Sequence, residues 1–175
     1  QWFEAGDHPR TLAVVGAGRR EGRSYLVANL AVVFAQLGRR VVVVDADLRA
    51  PRRHAIFGVA ARGTTGLSSI LCGSSDIDPV HLPEFGALAL IQAGPLPPNP
   101  QELLLRPEFP ALARELAQDY DFVLFDSCAA CLGGDPLIVT RAALGALVVG
   151  RRNHSRLDAT QQLADRIRAS KLAVV

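Results

Sequence analysis

The 175-residue sequence contains no methionine, and of its 19 basic residues a single one, Lys171, is lysine. The missing methionine, even at the first position, leads us to expect a fragment of a longer gene product. With the one lysine so late in the chain, a site that needs a cation near the amino end has to use arginine. No apolar run approaches the roughly 20 residues of a spanning helix, and no secretory leader opens the chain, so a cytoplasmic domain without direct membrane insertion is expected. Three cysteines cannot all pair, and their spacing gives no disulfide framework, as suits a reducing compartment. A net charge of +2 makes no case for nucleic acid or for an anionic surface.

What is present is the composition of a globular domain, 49% apolar and 21% charged, at a length that suits one domain, 1–175. Gln1 to Arg10 reads as the tail of a preceding element. Thr11 to Val15 is a first strand, followed by a glycine-rich turn from Gly16 to Gly22 and an amphipathic helix from Ser24 to Leu37 that Gly38 stops. Val41 to Asp45 is a second strand, and Leu88 to Gln92, Phe122 to Asp126, Ala146 to Val149 and Leu172 to Val175 are further ones. The short apolar GLSSIL, Gly66 to Leu71, sits in a loop. Pro95 to Pro100 is a rigid loop feeding a helix with Asn99 as N-cap, Pro100 in the first turn and Glu102 closing a capping box. That helix breaks at Pro107, and a second runs to about Ala117. Ser155, with Asp158 three residues on, caps a last helix ending at Ala169. Strand and helix alternate without a hairpin signal, which predicts an α/β fold, a doubly wound and mostly parallel sheet with helices on both faces and right-handed crossovers.

The centre of the sequence is VVVVDADLRAP, Val41 to Pro51. Four β-branched residues without alternation predict a strand buried on both faces. If the extended geometry continues, Asp45 and Asp47 point to one side at the carboxyl edge of the sheet, where parallel sheets bind ligands. Two carboxylates on one side call for a cation, and hydrated Mg²⁺ with phosphates answers that need. The glycine turn admits two readings. Gly16-Ala-Gly-x-x-x-Gly22 resembles a dinucleotide loop, but Asp45 lies beyond the roughly 20-residue spacing of such sites and is followed by a second carboxylate and an arginine. Ala17-x-x-x-x-Gly22-Arg23-Ser24 instead parses as a phosphate loop, with backbone N–H groups and a helix N-terminus facing phosphates and the Ser24 hydroxyl facing Mg²⁺. Asp45, Asp47 and the terminal aspartate of FVLFD, Asp126, follow in the order such a site requires.

With Glu21 to His54 (EGRSYLVANLAVVFAQLGRRVVVVDADLRAPRRH), GLSSIL, GPLPPNPQELL (Gly94 to Leu104) and FVLFDS (Phe122 to Ser127), the chain resembles the cytoplasmic kinase domain of the bacterial tyrosine kinases of capsule and exopolysaccharide export. Those are relatives of the MinD/ParA-type P-loop ATPases, and within the family the likeness is to the chain-length-determinant kinases. The resemblance covers nearly the whole chain. It implies an ATP- and Mg²⁺-dependent protein-tyrosine autokinase that regulates polymer chain length and export. Such a domain works at the inner face of the membrane through a transmembrane polysaccharide copolymerase and forms homo-oligomers. By the same resemblance Ala17, Gly18, Arg19, Arg20, Glu21, Gly22, Arg23 and Ser24 form Walker A, with Tyr25 beside it, and Val42 to Asp47 form the extra Walker A′ motif. Leu124 to Asp126 belong to Walker B, and Asn153 lies near the base. Asp45 and Asp47 would position Mg²⁺ and the attacking hydroxyl, Ser24 would ligate the metal, and Asp126 would hold its water.

Departures from the family pattern define the alternatives. Arg23 stands where the family has its phosphate lysine, and a planar fork does not replace a compact ammonium in every respect. Ser127-Cys-Ala-Ala-Cys131 stands where Walker B continues into Thr-Pro-Pro. The family's C-terminal tyrosine cluster is missing, and Tyr25 and Tyr120, the two tyrosines of the chain, fall in structural elements. The family's oligomerisation helix would precede Gln1. A second reading is therefore a nucleotide-sensing scaffold without phosphoryl transfer. A third, an iron-sulfur carrier ATPase of the same superfamily, rests on Cys128-x-x-Cys131, which reads more simply as small buried residues. His8, His54, His81 and His154 show no ligand spacing and are taken as surface or loop residues. Arg151, Arg152 and Arg156, just past a strand, are read as solvated.

Overall fold

Four β-branched residues in a row leave no face for water, and in the computed structural model Val41–Ala46 is a strand with every residue buried. The residues described are 10–50, 56–61, 63–170 and 172–174. The expectations for Gln1 to Pro9, His8, Arg52, Arg53, His54, Lys171 and Val175 lie outside them. In chain order the strands and helices are β1 (Arg10–Val15), α1 (Arg23–Gln36), β2 (Val41–Ala46), α2 (Leu67–Leu71), β3 (Val80–His81), β4 (Leu88–Ile91), α3 (Pro100–Leu104), α4 (Glu108–Asp119), β5 (Phe122–Ser127), α5 (Asp135–Ala143), β6 (Gly145–Val148), α6 (Leu157–Ala169) and β7 (Ala173–Val174). One seven-stranded sheet runs β3-β4-β2-β5-β1-β6-β7, parallel except where β3 meets β4. The chain leaves β1 towards β2 on one side and crosses from β5 to β6 on the other. The carboxyl ends of β1, β2 and β5 therefore meet at the reversal point where open α/β sheets hold ligands.

Strand period two divides the core. Val41, Val43, Leu88, Leu90, Phe122 and Leu124 pack under Val27, Ala28, Ala31 and Ala35 of α1, while Val42, Val44, Val123 and Phe125 pack under the remaining helices. Alanines along the inner stripe of α1 let the helix lie close on the sheet, and Phe34 stacks on Phe122 with ring centroids 4.1 Å apart. The stop at Gly38 is a Schellman turn. Gly38 has φ 77°, its N–H donates to Ala35 O at 2.9 Å, and the N–H of Arg39 donates to Phe34 O at 3.1 Å. On the other face Phe109 meets Phe125 edge to face, 5.6 Å between centroids.

Several local expectations need correction. GLSSIL is a loop only at Gly66; Leu67–Leu71 is helical, because Leu67 N and Ser68 N are anchored on Gln92 O and Ala93 O at the end of β4. A Cβ at Gly66 would come 2.6 Å from the Cα of Gly94, so the segments Gly66 to Leu71 and Gly94 to Leu104 meet backbone to backbone. Asn99 does precede α3, with Pro100 at its start, but no side-chain cap forms: the Asn99 amide donates to the Glu102 carboxylate at 3.2 Å instead of the carboxylate reaching back to the backbone. Ser155 does not cap α6 either; the residue at that position is Arg156, and the Ser155 hydroxyl is engaged elsewhere. Helix α5 and the two-residue strand β3 were not anticipated, and Tyr120 lies in the connection between α4 and β5.

Candidate functional site

The loop from β1 to α1 turns on Gly22, whose φ of 92° is left-handed and which stands at the N-cap of α1. Beyond it the first N–H groups of α1 have no acceptor within the helix, the ordinary basis of anion binding. Ala17 is buried, Gly18 and Ser24 are half-buried, and Arg19 and Arg20 are exposed. Tyr25 points outward at 72% exposure. Glu21 and Arg23 are the buried charges of the loop, at 5% and 8% exposure. Arg23 Nη1 donates to Gly18 O at 2.6 Å and stands 3.5 Å from Glu21 Oε2.

Asp45 and Asp126 are partners in the parallel register of β2 and β5, so two fully buried carboxylates stand side by side at adjacent strand ends. The same-side argument for Asp47 does not hold as expected, because β2 ends at Ala46 and the chain turns. The N–H of Asp47 donates to Asp45 Oδ1 at 3.1 Å, and Asp47 Oδ1 accepts from the N–H groups of Arg49 and Ala50 at 3.2 and 3.0 Å. Asp47 thus shapes the turn as well as flanking Asp45. Arg49 then forks onto Asp135, the first residue of α5, with Nε to Oδ2 at 2.7 Å and Nη2 to Oδ1 at 3.0 Å. Those hydrogen bonds hold the guanidinium above its usual basicity. Gly133 makes room for the fork, since a Cβ there would meet Arg49 Nη2 at 2.9 Å.

Sequence reasoning missed Asp135, Ser155 and His154. Ser155 Oγ donates to Glu21 Oε1 at 2.7 Å and accepts from the N–H of Arg151 at 2.7 Å. His154 Nε2 lies 2.9 Å from Arg19 O, and Arg151 Nη1 lies 3.4 Å from Arg20 O. The turn from Arg151 to Ser155 therefore grips the tip of the loop at three successive residues, with Asn153, at φ 60°, in the middle of the turn. Arg151 is thus bonded, Arg156 pairs with Asp158 at 2.9 Å, and Arg152 is exposed. The segment after β5 grips the other limb, with Ala130 N donating to Gly16 O at 2.9 Å and Cys131 N to Ala17 O at 3.0 Å. A local signal for Asp135 existed: Gly-Asp-Pro is a helix start with an acid in the first turn and proline behind it. No local signal joins Glu21 to Ser155.

The two cysteines of the C-x-x-C differ. Cys131 is exposed, whereas Cys128 is buried and its thiol is pushed up to about 12, first by burial and then by the charges of Asp135 and Asp47. A thiol held protonated is a poor metal or redox ligand. Among the described residues no group of three or more His, Cys, Asp or Glu side chains is placed to hold a metal alone. Ser24, Asp45 and Asp126 offer hard oxygen donors, the kind that suits Mg²⁺ completed by water and phosphate.

No family model matches the chain. Among curated relatives, the tyrosine-protein kinase YwqD of Bacillus subtilis (strain 168) is 38% identical over 141 residues, covering 80% of this chain and 59% of the relative. Other tyrosine-protein kinases are matched over 19% of their length. The chain thus spans well under two thirds of these relatives. Among solved structures, the kinase domain of the Escherichia coli tyrosine kinase ETK superposes with a TM-score of 0.89 at 27% identity, covering 98% of this chain and 66% of that one. The septum site-determining protein MinD of Pyrococcus horikoshii, complexed with Mg-ADP, superposes with a TM-score of 0.80 at 23% identity, covering 95% and 68%. The last likeness is one of fold.

Proposed function

We propose, on the premise that the chain belongs to the bacterial tyrosine-protein kinase family and has the MinD type of P-loop fold, that it is an ATP- and Mg²⁺-dependent protein-tyrosine autokinase domain acting in exopolysaccharide chain-length control and export. The observation that carries the proposal is the register pair Asp45 and Asp126 at the carboxyl ends of β2 and β5, beside the loop that follows β1. Phosphoryl transfer needs positioning and charge compensation more than covalent chemistry from the protein. The N–H groups of the Gly18 to Ser24 loop would hold the phosphates. Ser24, Asp45 and Asp126 would hold Mg²⁺, directly or through water, and Asp47 would place the attacking tyrosine hydroxyl. The metal held there would supply positive charge against the negative charge that develops on the phosphates. The remaining length of the relatives leaves room for the membrane-borne copolymerase partner and for assembly contacts, and none of the described helices is long and apolar enough to cross a membrane.

Asp45→Asn tests the proposal on the full-length chain, with phosphotyrosine detection and calorimetric titration of ATP with and without Mg²⁺. Loss of about 10² to 10³ in transfer rate is expected, with the fold retained. Unchanged turnover would remove Asp45 from the site. The second reading, a nucleotide-sensing scaffold, is favoured by one observation: Arg23 bonds Gly18 O and faces Glu21 within its own loop. Arg23→Lys separates the two. Tighter binding and a rise in transfer support impaired chemistry in the native loop, whereas unaltered affinity in an already brisk kinase removes the scaffold.

A further inference from the structure

Glu21 has an unusual position for an acid in a phosphate-binding loop. Its carboxylate is turned inward, 1% exposed, with Oε1 on the Ser155 hydroxyl and Oε2 towards Arg23. The pair fills the hollow of the loop. A Cβ added at Gly16 would collide with Glu21 Oε2 and come 2.8 Å from Arg23 Nη1, and one added at Gly18 would lie 3.0 Å from Glu21 Oε1. Arg23 is left with capacity in hand, because its buried Nε has no hydrogen-bond partner among the described residues. A buried donor without an acceptor costs free energy until an acceptor arrives.

We infer that Glu21 is a built-in anion that competes with the nucleotide's β-phosphate for Arg23 and sets the affinity of the loop. This rests on the nucleotide-binding reading of the same site. The carboxylate faces Arg23 Nη1 at 3.5 Å, and its negative charge opposes the phosphates. Full engagement of the guanidinium by phosphate then calls for the carboxylate to swing out and release Ser155, which couples the phosphate end of the site to the Arg151 to Ser155 turn. A binding-competent state populated a fraction of the time lowers apparent affinity by that fraction, so a latch closed about 90 to 99% of the time weakens binding about 10- to 100-fold.

The test is calorimetric binding of ADP, pyrophosphate and AMP to the native protein, Glu21→Gln and Ser155→Ala. Glutamine keeps an oxygen for the Ser155 hydroxyl but carries no charge. Glu21→Gln is expected to bind ADP and pyrophosphate about tenfold more tightly. Ser155→Ala, which unpins the carboxylate but leaves Arg23 its partner, should tighten them about threefold, and AMP, which has no β-phosphate, should change by less than about twofold. Thermal unfolding gives a second readout: Glu21→Gln should melt lower than the native protein alone and gain more from ADP. Equal or weaker ADP binding by both variants overturns the inference and leaves nucleotide binding intact, and an equal gain for AMP overturns it as well. Absence of ADP and pyrophosphate binding in all three proteins instead overturns the nucleotide-binding reading on which it rests.

Discussion

Two arginines stand at the carboxyl edge of the sheet, Arg49 in the turn after β2 and Arg23 at the start of α1, each facing a carboxylate, and the two pairs are built differently. Arg49 forks onto Asp135 with two hydrogen bonds of 2.7 and 3.0 Å and stays 30% exposed, while Asp135 is buried. Arg23 is almost wholly buried, meets Glu21 at one edge only, 3.5 Å away, and leaves a donor unused. A bidentate fork uses the geometry of guanidinium and carboxylate fully. A single long contact does not. The first pair fixes the turn after β2 against α5. The second is held by enclosure, and a better acceptor can replace it.

The sharpest way to break the contrast is to remove each arginine in turn. Arg49→Ala strands the Asp135 carboxylate beside the Cys128 thiol and should cost about 3 kcal/mol in chemical denaturation, at the low end for a broken buried pair because Arg49 is partly solvated. Arg49→Lys should recover a fraction of that loss, since a point charge cannot make both bonds. Arg23→Ala leaves Glu21 with the Ser155 hydroxyl and admits water to the loop, so a loss of about 1 to 2 kcal/mol is expected. If Arg23→Ala proves the more destabilising of the two, the contrast between fixed and replaceable pairs is wrong.

Cysteines sharpen the same comparison, because each region carries one. Cys128 lies 3.6 Å from Asp135 on the Arg49 side, and Cys131 is bonded through its N–H to Ala17 on the Arg23 side. With the Cys128 thiol raised to about 12, alkylation of the native protein near pH 8 should be more than about tenfold slower at Cys128 than at Cys131 or Cys72, read by peptide mass. Equal rates would mean that the Arg49 side opens as readily as the loop.

A third pair supplies the surface baseline. Asp121 accepts the N–H of Arg40 at 2.8 Å and its guanidinium at 3.1 Å, and the backbone bond first, then the guanidinium, holds its carboxyl below the usual range. A depressed carboxylate stabilises the fold above its unfolded pKa and loses that contribution as pH falls through the folded value. Asp121→Asn should therefore cost a few tenths to about 1 kcal/mol at neutral pH, and the difference from the native protein should vanish in acid below the ordinary aspartate range.

How much of this was legible beforehand follows from the range of the interactions. Val41 to Val44 announces a buried strand because burial on both faces permits no polar alternation, and Gly38 announces a helix stop because its conformation is left-handed. The register of Asp45 with Asp126 could be expected in kind, since both acids close apolar runs. Asn99 and Ser155 show the limit of cap rules: each hydroxyl or amide has more than one partner in reach, and tertiary packing chose between them. Helix α5 went unseen although Gly-Asp-Pro marked its start, because only nine residues separate that start from β6. The pairs that define the site, Glu21 with Ser155 and Arg49 with Asp135, join positions 134 and 86 residues apart. No periodicity reaches so far.

The amides of Ala130 and Cys131, bonded to the carbonyls of Gly16 and Ala17, carry one more consequence. Neither bond belongs to a helix or a strand, and both close across the gap between the segment after β5 and the first limb of the glycine loop. Their hydrogens can trade with deuterium only when that limb detaches. The exchange rate at these two sites is thus a clock for the breathing of the loop, and a ligand seated in it would slow the clock while leaving the sheet amides beneath at their own pace.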